Sequence, residues 1–331
     1  MSTITPELLR ELVAEARLAP SVHNIQPTRW RLLPDGRLAL VDDTSVRAPV
    51  ADPSGHDVEV SHGAALEGMS LALNRRGLSL AEFTPVEQPL SGQYAALGTL
   101  TIGTAAVADS LLPDVPRRMS WRGAFVSSSG DDDALAQIVA ARDDIVCIRD
   151  RQAIADIALW AGQTELSFVR SNDYRRELLD WMRLSPSHPL YRQSGLNREA
   201  LAMNAVEATG ARLVLGPLFS PLDWLGLAEP LLSDRAKTSS AAAIILFCRP
   251  RDENPLLTGR HFYRVWLEID RAGLVACPIS ALADHPGFND KLRKLGKIEE
   301  GLRLVNVFRA GRPPEPQLPR HFRLPVDQLI V

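Results

Sequence analysis

The sequence predicts an α+β chain made of two fused parts. Its 331 residues exceed what one compact core usually serves and suit two units of roughly 150 residues. In both parts a helix of small or apolar residues reaches a glycine stop and a strand follows, a weak internal repeat. A proline-bracketed break at Leu112-Pro113-Asp114-Val115-Pro116 separates them, which places the parts at 1–112 and 113–331.

Taken in order, Thr5-Pro6-Glu7 is a helix start: a capping hydroxyl, proline at the first helical position and an acid at the positive end of the dipole. Leu8, Leu9, Leu12, Val13 and Ala16 recur at helical spacing until Pro20 stops them. Ser21 to Gln26, held between Pro20 and Pro27, cannot be helix and is too polar for a buried strand. It is either a capped, solvated turn or a loop that hydrogen-bonds a flat polar ligand. Trp30–Leu33 and Arg37–Val41 flank Pro34-Asp35-Gly36 as a hairpin. His56 to Asn74, with Gly63, Ala64, Ala65 and Gly68, reads as a central helix packed closely on more than one side and closed near Gly77. Leu97–Gly103 is a strand.

The second part opens with Arg117 to Phe125 and a polar linker, then a helix over 134–140 and an apolar strand over 145–148. Helices follow over 152–169 and 174–182, a loop over 185–195, and a helix over 197–208. The next residues carry Pro217, Pro221 and Pro230 and form an irregular, lid-like excursion near 213–233, since loops that long are usually functional covers. Ala241–Phe247 is a buried strand, Gly259–Arg271 a helix closed by Gly273, and Leu302–Arg309 the last strand.

Composition excludes several classes. Hydrophobic residues at 45% and charged residues at 23% are ordinary for a globular protein, and a net charge of -3 offers no basic face for nucleic acid. Cys147, Cys248 and Cys277 are widely spaced, which fits free thiols in a reducing cytoplasm. No apolar run approaches ~18 residues, and Met1 to Pro6 lacks the basic and apolar regions of a signal peptide. A cytoplasmic chain is expected. Phosphate loops, dinucleotide fingerprints and nucleophile elbows are absent, and the histidines show no metal-ligand spacing. Arg118-x-Ser120-x-Arg122 places two guanidinium forks and a hydroxyl where a phosphate could be cradled, and Arg309 and Arg312 add two more near the end; alternatively, such arginines are simply solvated.

On these residues the chain resembles the nitroreductase family of FMN-dependent oxidoreductases, and more closely its tandem, double-domain Acg-like members. Ala19-Pro20-Ser21-Val22-His23-Asn24-Ile25-Gln26-Pro27 is similar to the family's A-P-S-x-x-N-x-Q-P loop. Arg118-x-Ser120-x-Arg122 followed by Phe125 is similar to its phosphate-binding opening. Gly273 to Asp284 resembles the stretch that approaches the flavin, and Arg309 to Pro313 the basic end. The resemblance implies mixed β-sheets flanked by helices, in one chain that mimics the family homodimer. It implies that Arg118, Ser120 and Arg122 hold the phosphate and pyrimidine edge of FMN, with Arg309 or Arg312 assisting. It also implies that the amide of Ser280 or Ala281 faces flavin N5, and that Ser21, His23, Asn24 and Gln26 bind the ring and ribityl chain from the other half.

The polar loop occurs only in the first half and the arginine–serine–arginine motif only in the second. One FMN site per chain, between the halves, is therefore expected. The implied activity is NAD(P)H-dependent reduction of a nitro compound, quinone or similar small acceptor, with flavin N5 as the reactive centre and no metal. The alternatives are an FMN-sequestering or sensing protein without turnover, and a dedicated biosynthetic flavin dehydrogenase. Because the tandem makes interchain pairing unnecessary for the site, a monomer is expected.

Overall fold

The computed structural model describes residues 4–89 and 92–331, so the first three residues of the N-terminal stretch considered above lie outside it. Thr5 caps α1 (Pro6–Ala16) by accepting from the Leu8 amide. There follow β1 (Thr28–Leu32), β2 (Leu38–Asp43), α2 (His56–Asn74), β3 (Leu78–Pro89) and β4 (Tyr94–Thr104). Gly36, at φ +82, turns the β1–β2 hairpin. The first sheet runs β1-β2-β4-β3 and covers one apolar core against α1 and α2, with Leu12, Leu40, Met69, Leu73 and Leu100 fully enclosed.

The second half begins with α3 (Asp131–Ala140) and β5 (Ile145–Ile148). Six helices follow: α4 (Arg151–Val169), α5 (Asn172–Trp181), α6 (Ala205–Leu215), α7 (Phe219–Trp224), α8 (Ala228–Leu232) and α9 (Arg235–Ser239). The half closes with β6 (Ala243–Pro250), α10 (Pro255–Arg271), β7 (Val275–Pro278), α11 (Ala281–Asp284), α12 (Pro286–Leu295) and β8 (Leu302–Gly311). Its sheet runs β5-β6-β8-β7, with apolar cores on both faces.

The two sheets have the same topology, with α2 and α10 in equivalent positions, so the internal repeat is structural. The largest difference is an insertion: where the first half turns from β1 to β2 through Pro34-Asp35-Gly36, the second inserts α4 to α9 between β5 and β6, and it adds α11 and α12 between β7 and β8. Named strands pair antiparallel throughout. The mixed character expected of the sheets is confined to two parallel bridges, Trp30 to Ile330 and Ser120 to Ala276.

α2 and α10 cross at the centre, and glycine makes the crossing possible. A Cβ on Gly259 would lie 2.0 Å from the Val60 carbonyl oxygen, and one on Gly63 2.2 Å from that of Leu256. Around the crossing, Ala64 and Leu71 pack on Tyr263 and Leu267. Glu67, 3% exposed on α2, accepts from Arg260 and Arg264 of α10 at 2.7 Å each.

Several boundaries differ from the sequence reading. β3 and α12 were not anticipated. The helix expected over 197–208 starts at Ala205, because Asn204 caps the Val206 and Glu207 amides while Glu207 reaches back to the Asn204 amide. Most of the excursion over 213–233 is not irregular: α6, α7 and α8 bury Leu215, Phe219 and Ala228 against Val169. A division at 112/113 separates the sheets but not the C-terminal strap, because Leu324 and Leu329 join the first core and Trp30 donates to Leu329.

Candidate functional site

The polar loop adopts a conformation its sequence does not advertise. A short 3₁₀ turn covers Val22–Asn24, and His23, Asn24 and Gln26 have φ of 43, 57 and 56. Three non-glycine residues on the left-handed side cost about 1–3 kcal/mol each, so their surroundings must hold them there. Ser21 Oγ accepts from the Gln26 amide at 3.0 Å, and Ser61 Oγ from Val22 at 3.0 Å. Arg29 donates to the Gln26 carbonyl at 2.7 Å and pairs with Asp43 at 2.9 Å, both side chains buried. Thr28 Oγ1 lies 2.8 Å from His62 Nδ1, whose Nε2 lies 3.1 Å from Asp42.

Two expected ligand contacts are engaged by the chain itself. Gln26, 7% exposed, donates to Gln193 O at 2.8 Å and accepts from the Leu324 amide at 2.9 Å. Asn24 donates to Gly195 O and Phe322 O and accepts from Arg323 at 3.0 Å. Both side chains tie the loop to the 193–195 segment and the strap. His23 faces a crevice shared with Ala51, Tyr174, Leu178 and Trp181. Desolvation and then the nearby charge of Arg122 push its imidazole down to about 4, so it is neutral at physiological pH.

Arg118 is 2% exposed, donates to Leu18 O at 3.0 Å, and lies 4.5 Å from the Trp266 ring centroid. Its Nε is buried without an acceptor. Arg323, which the sequence reading did not single out, donates to the same Leu18 oxygen at 3.1 Å and to Ala19 and Arg17 carbonyls. Burial and then the Arg118 charge depress it to about 9. Among the described residues no carboxylate lies within ion-pair distance of either. A buried and a half-buried cation side by side, facing carbonyls, an amide and the Tyr263 and Trp266 rings with no carboxylate in ion-pair contact, are costly unless an anion joins them. The only sequence signal for Arg323 is its place in a basic C-terminal run, Arg320-His321-Phe322-Arg323.

The other candidates separate into groups. Arg122 donates to Ala200 O at 2.9 Å, and its own carbonyl accepts from Arg309 at 3.3 Å. Arg309 is fully buried but already paired with Asp234 at 3.0 Å and bonded to Thr238. Arg312 pairs with Asp131 at 2.9 Å and donates to Gly130 and Gly273 carbonyls. The residue bonded beside Arg118 is thus Arg323, rather than Arg309 or Arg312. Ser120 bridges to Ala276 on β7, which sets the opening motif beside the strand leading to Ser280 and Ala281. The amides of those two residues have no acceptor among the described residues.

An acidic cluster also emerges that the sequence did not indicate. Glu165 and Asp284 reach solvent, yet desolvation raises both carboxyls to about 7, helped by Asp234 in the first case and Asp57 in the second. Tyr174 connects them: its phenol is pushed up to about 12 by burial and by the charges of Glu165 and Asp284, and its ring stacks on Phe168 at 5.4 Å. Because Asp284 ends α11, this cluster adjoins the free amides of Ser280 and Ala281.

The buried Arg118, the half-buried Arg323 and the free amides of Ser280 and Ala281 are the polar groups that the chain itself leaves least satisfied. No protein-family model matches the chain. It is 28% identical over 314 residues, 93% of this chain and 83% of the relative, to a Mycobacterium tuberculosis protein named "Putative NAD(P)H nitroreductase". It is 24% identical over 338 residues, 98% of this chain and 92% of the relative, to an uncharacterized protein of that species. Among solved structures, one titled "putative nitroreductase" from Anabaena variabilis covers 95% of this chain and 90% of its own at TM-score 0.40 and 9% identity. The FMN-dependent nitroreductase NfnB from Mycobacterium smegmatis, in complex with NADPH, covers 63% and 92% at TM-score 0.34 and 16% identity. The chain is thus similar, along nearly its whole length, to a sequence named as a nitroreductase.

Proposed function

We propose that the chain is an FMN-dependent oxidoreductase using NAD(P)H, with one flavin site built from both halves. The observation that carries this reading is the guanidinium pair Arg118 and Arg323 beside the strained loop, with no carboxylate in ion-pair contact: a phosphate would supply that charge and an acceptor for the orphaned Arg118 Nε. The residues fit FMN at a second point, the unbonded amides of Ser280 and Ala281. The relatives named as nitroreductases support the same assignment.

When bound, the flavin carries a hydride between a nicotinamide and an electron acceptor such as a nitro compound or quinone. The residues around it bind and orient. Arg118 and Arg323 would hold the phosphate, Ser120 and Arg122 the pyrimidine edge, and the Ser280 or Ala281 amide would face N5. A cation at the pyrimidine edge stabilises negative charge that develops there. Ser21 and His23 contribute from the first half, while Asn24 and Gln26 position the loop. Arg309, neutralised by Asp234, fixes the Arg122 main chain and leaves the phosphate to Arg323.

The test is reconstitution with FMN, desalting, and anaerobic addition of NADPH under a visible spectrum. Retained flavin that bleaches establishes the reading; flavin retained but unreduced favours a protein that sequesters it. Arg323→Gln should weaken FMN binding about tenfold to hundredfold, the loss of one charge-assisted phosphate contact, with an unchanged circular dichroism spectrum. Equal FMN affinity in this variant refutes the assignment of the phosphate.

A further inference from the structure

α6, α7 and α8 pack on α4 and α5 through one side and present the other to solvent. Seven of the fourteen large apolar side chains that stand exposed among the described residues fall between Val206 and Leu231. Val206 is 81% exposed and Trp224 86%, and Leu213, Leu218, Leu225 and Leu231 lie between 44% and 58%. The three helices contact one another in every pair, which brings these side chains onto adjoining elements. Capping does not explain it: Asn204 and Glu207 already satisfy the start of α6. Nor does the core, which takes Leu215, Phe219 and Ala228 from the opposite side.

We propose that this face is the interface of a homodimer, closed by a second copy of the chain about a two-fold axis near Trp224. The argument from size is direct. The exposed apolar area of the patch amounts to roughly 700 Å², close to the ~800 Å² per partner of a standard stable interface and above the largest patch on a typical monomer. An exposed tryptophan among exposed leucines is the kind of composition found at interface centres. The rim is nearly neutral, with Glu207, Asp223 and Glu229 against Arg212, Arg235 and Lys237, and Asp223 already paired with Arg170 at 3.0 Å. That balance does not suit an anionic membrane or a strongly charged partner. It does suit self-pairing, in which each rim charge meets its opposite on the other copy. The flavin site needs no second chain, so dimerisation here is independent of the proposed activity. It departs from the monomer expected on sequence grounds because that expectation considered only the flavin site.

The experiment is sedimentation velocity on the full chain across about 1–50 μM, with Trp224→Glu, Leu231→Glu and, as a control on the other half, Val107→Glu. Val107 is 79% exposed and away from the patch. The expected result is a species of twice the 36.3 kDa chain mass for the wild type and the control, and a monomer for both patch variants with unchanged circular dichroism. A wild type that stays monomeric at every concentration overturns the proposal, whatever else the face binds. So does a dimer that survives both patch substitutions.

Discussion

Substituting Gly259 by alanine separates two opposed expectations. By helix propensity alone, alanine inside α10 should stabilise by about 1 kcal/mol. At the crossing, however, the new Cβ would stand 2.0 Å from the Val60 carbonyl oxygen and 2.8 Å from both the Ala64 nitrogen and the Gly63 Cα. All three are backbone atoms, so no rotamer change relieves the contact. Reaching an ordinary separation of about 3.4 Å requires the two helices to part by more than ~1 Å, which loosens Ala64, Leu71, Tyr263 and Leu267 together. The net loss should be about 3 kcal/mol, at the upper end of overpacking costs. Gly63→Ala meets the Leu256 carbonyl oxygen at 2.2 Å and should behave similarly. The pair should be strongly non-additive, because once the helices have parted the second methyl finds room. Urea unfolding of the full chain, followed by far-ultraviolet circular dichroism and tryptophan fluorescence, measures each value. Gly259→Ala at or above wild-type stability would refute the glycine-mediated crossing and with it the way the halves are joined.

Asp43→Asn should cost about 3–5 kcal/mol in the same assay, because it strands the buried Arg29 guanidinium, which also holds the Gln26 and Thr28 carbonyls. A loss below ~1 kcal/mol would count against a buried pair. Asp284 gives a pH-dependent test. Its folded carboxyl titrates near 7 against an ordinary value of 3.8, so the folded state holds the proton more tightly. Stability falls as pH rises through that interval, and the full penalty stands above it. Asp284→Asn should therefore stabilise at pH 8 by about 1 kcal/mol, after allowance for solvent screening of an exposed carboxyl, and by almost nothing at pH 4. An equal gain at both pH values in thermal melts would sink the cluster as its cause.

Local chemistry alone determined a good part of this protein. The α1 start at Thr5-Pro6-Glu7, the β1–β2 hairpin over Pro34-Asp35-Gly36, and the stops at Gly77 and Gly273 all depend on a few adjacent residues and their backbone preferences. The small residues of α2 announced a crowded helix, and the loop between Pro20 and Pro27 together with Arg118 to Arg122 announced a polar site. Tertiary structure decided the rest. β3 was hidden because its pairing to β4, across sequence-distant partners such as Leu78 and Thr104, gives it an ordering that its own pattern does not. The excursion with its three prolines became α6, α7 and α8 because burial of Leu215 and Phe219 outweighs weak local propensity. The roles of Asn24 and Gln26, the arrival of Arg323 beside Arg118, and the joining of Asp284 to Glu165 and Tyr174 all depend on contacts across more than a hundred residues. A side chain's type limits what it can bond. Which partner it meets, and whether its charge is left uncompensated, is fixed only when the chain has folded back on itself.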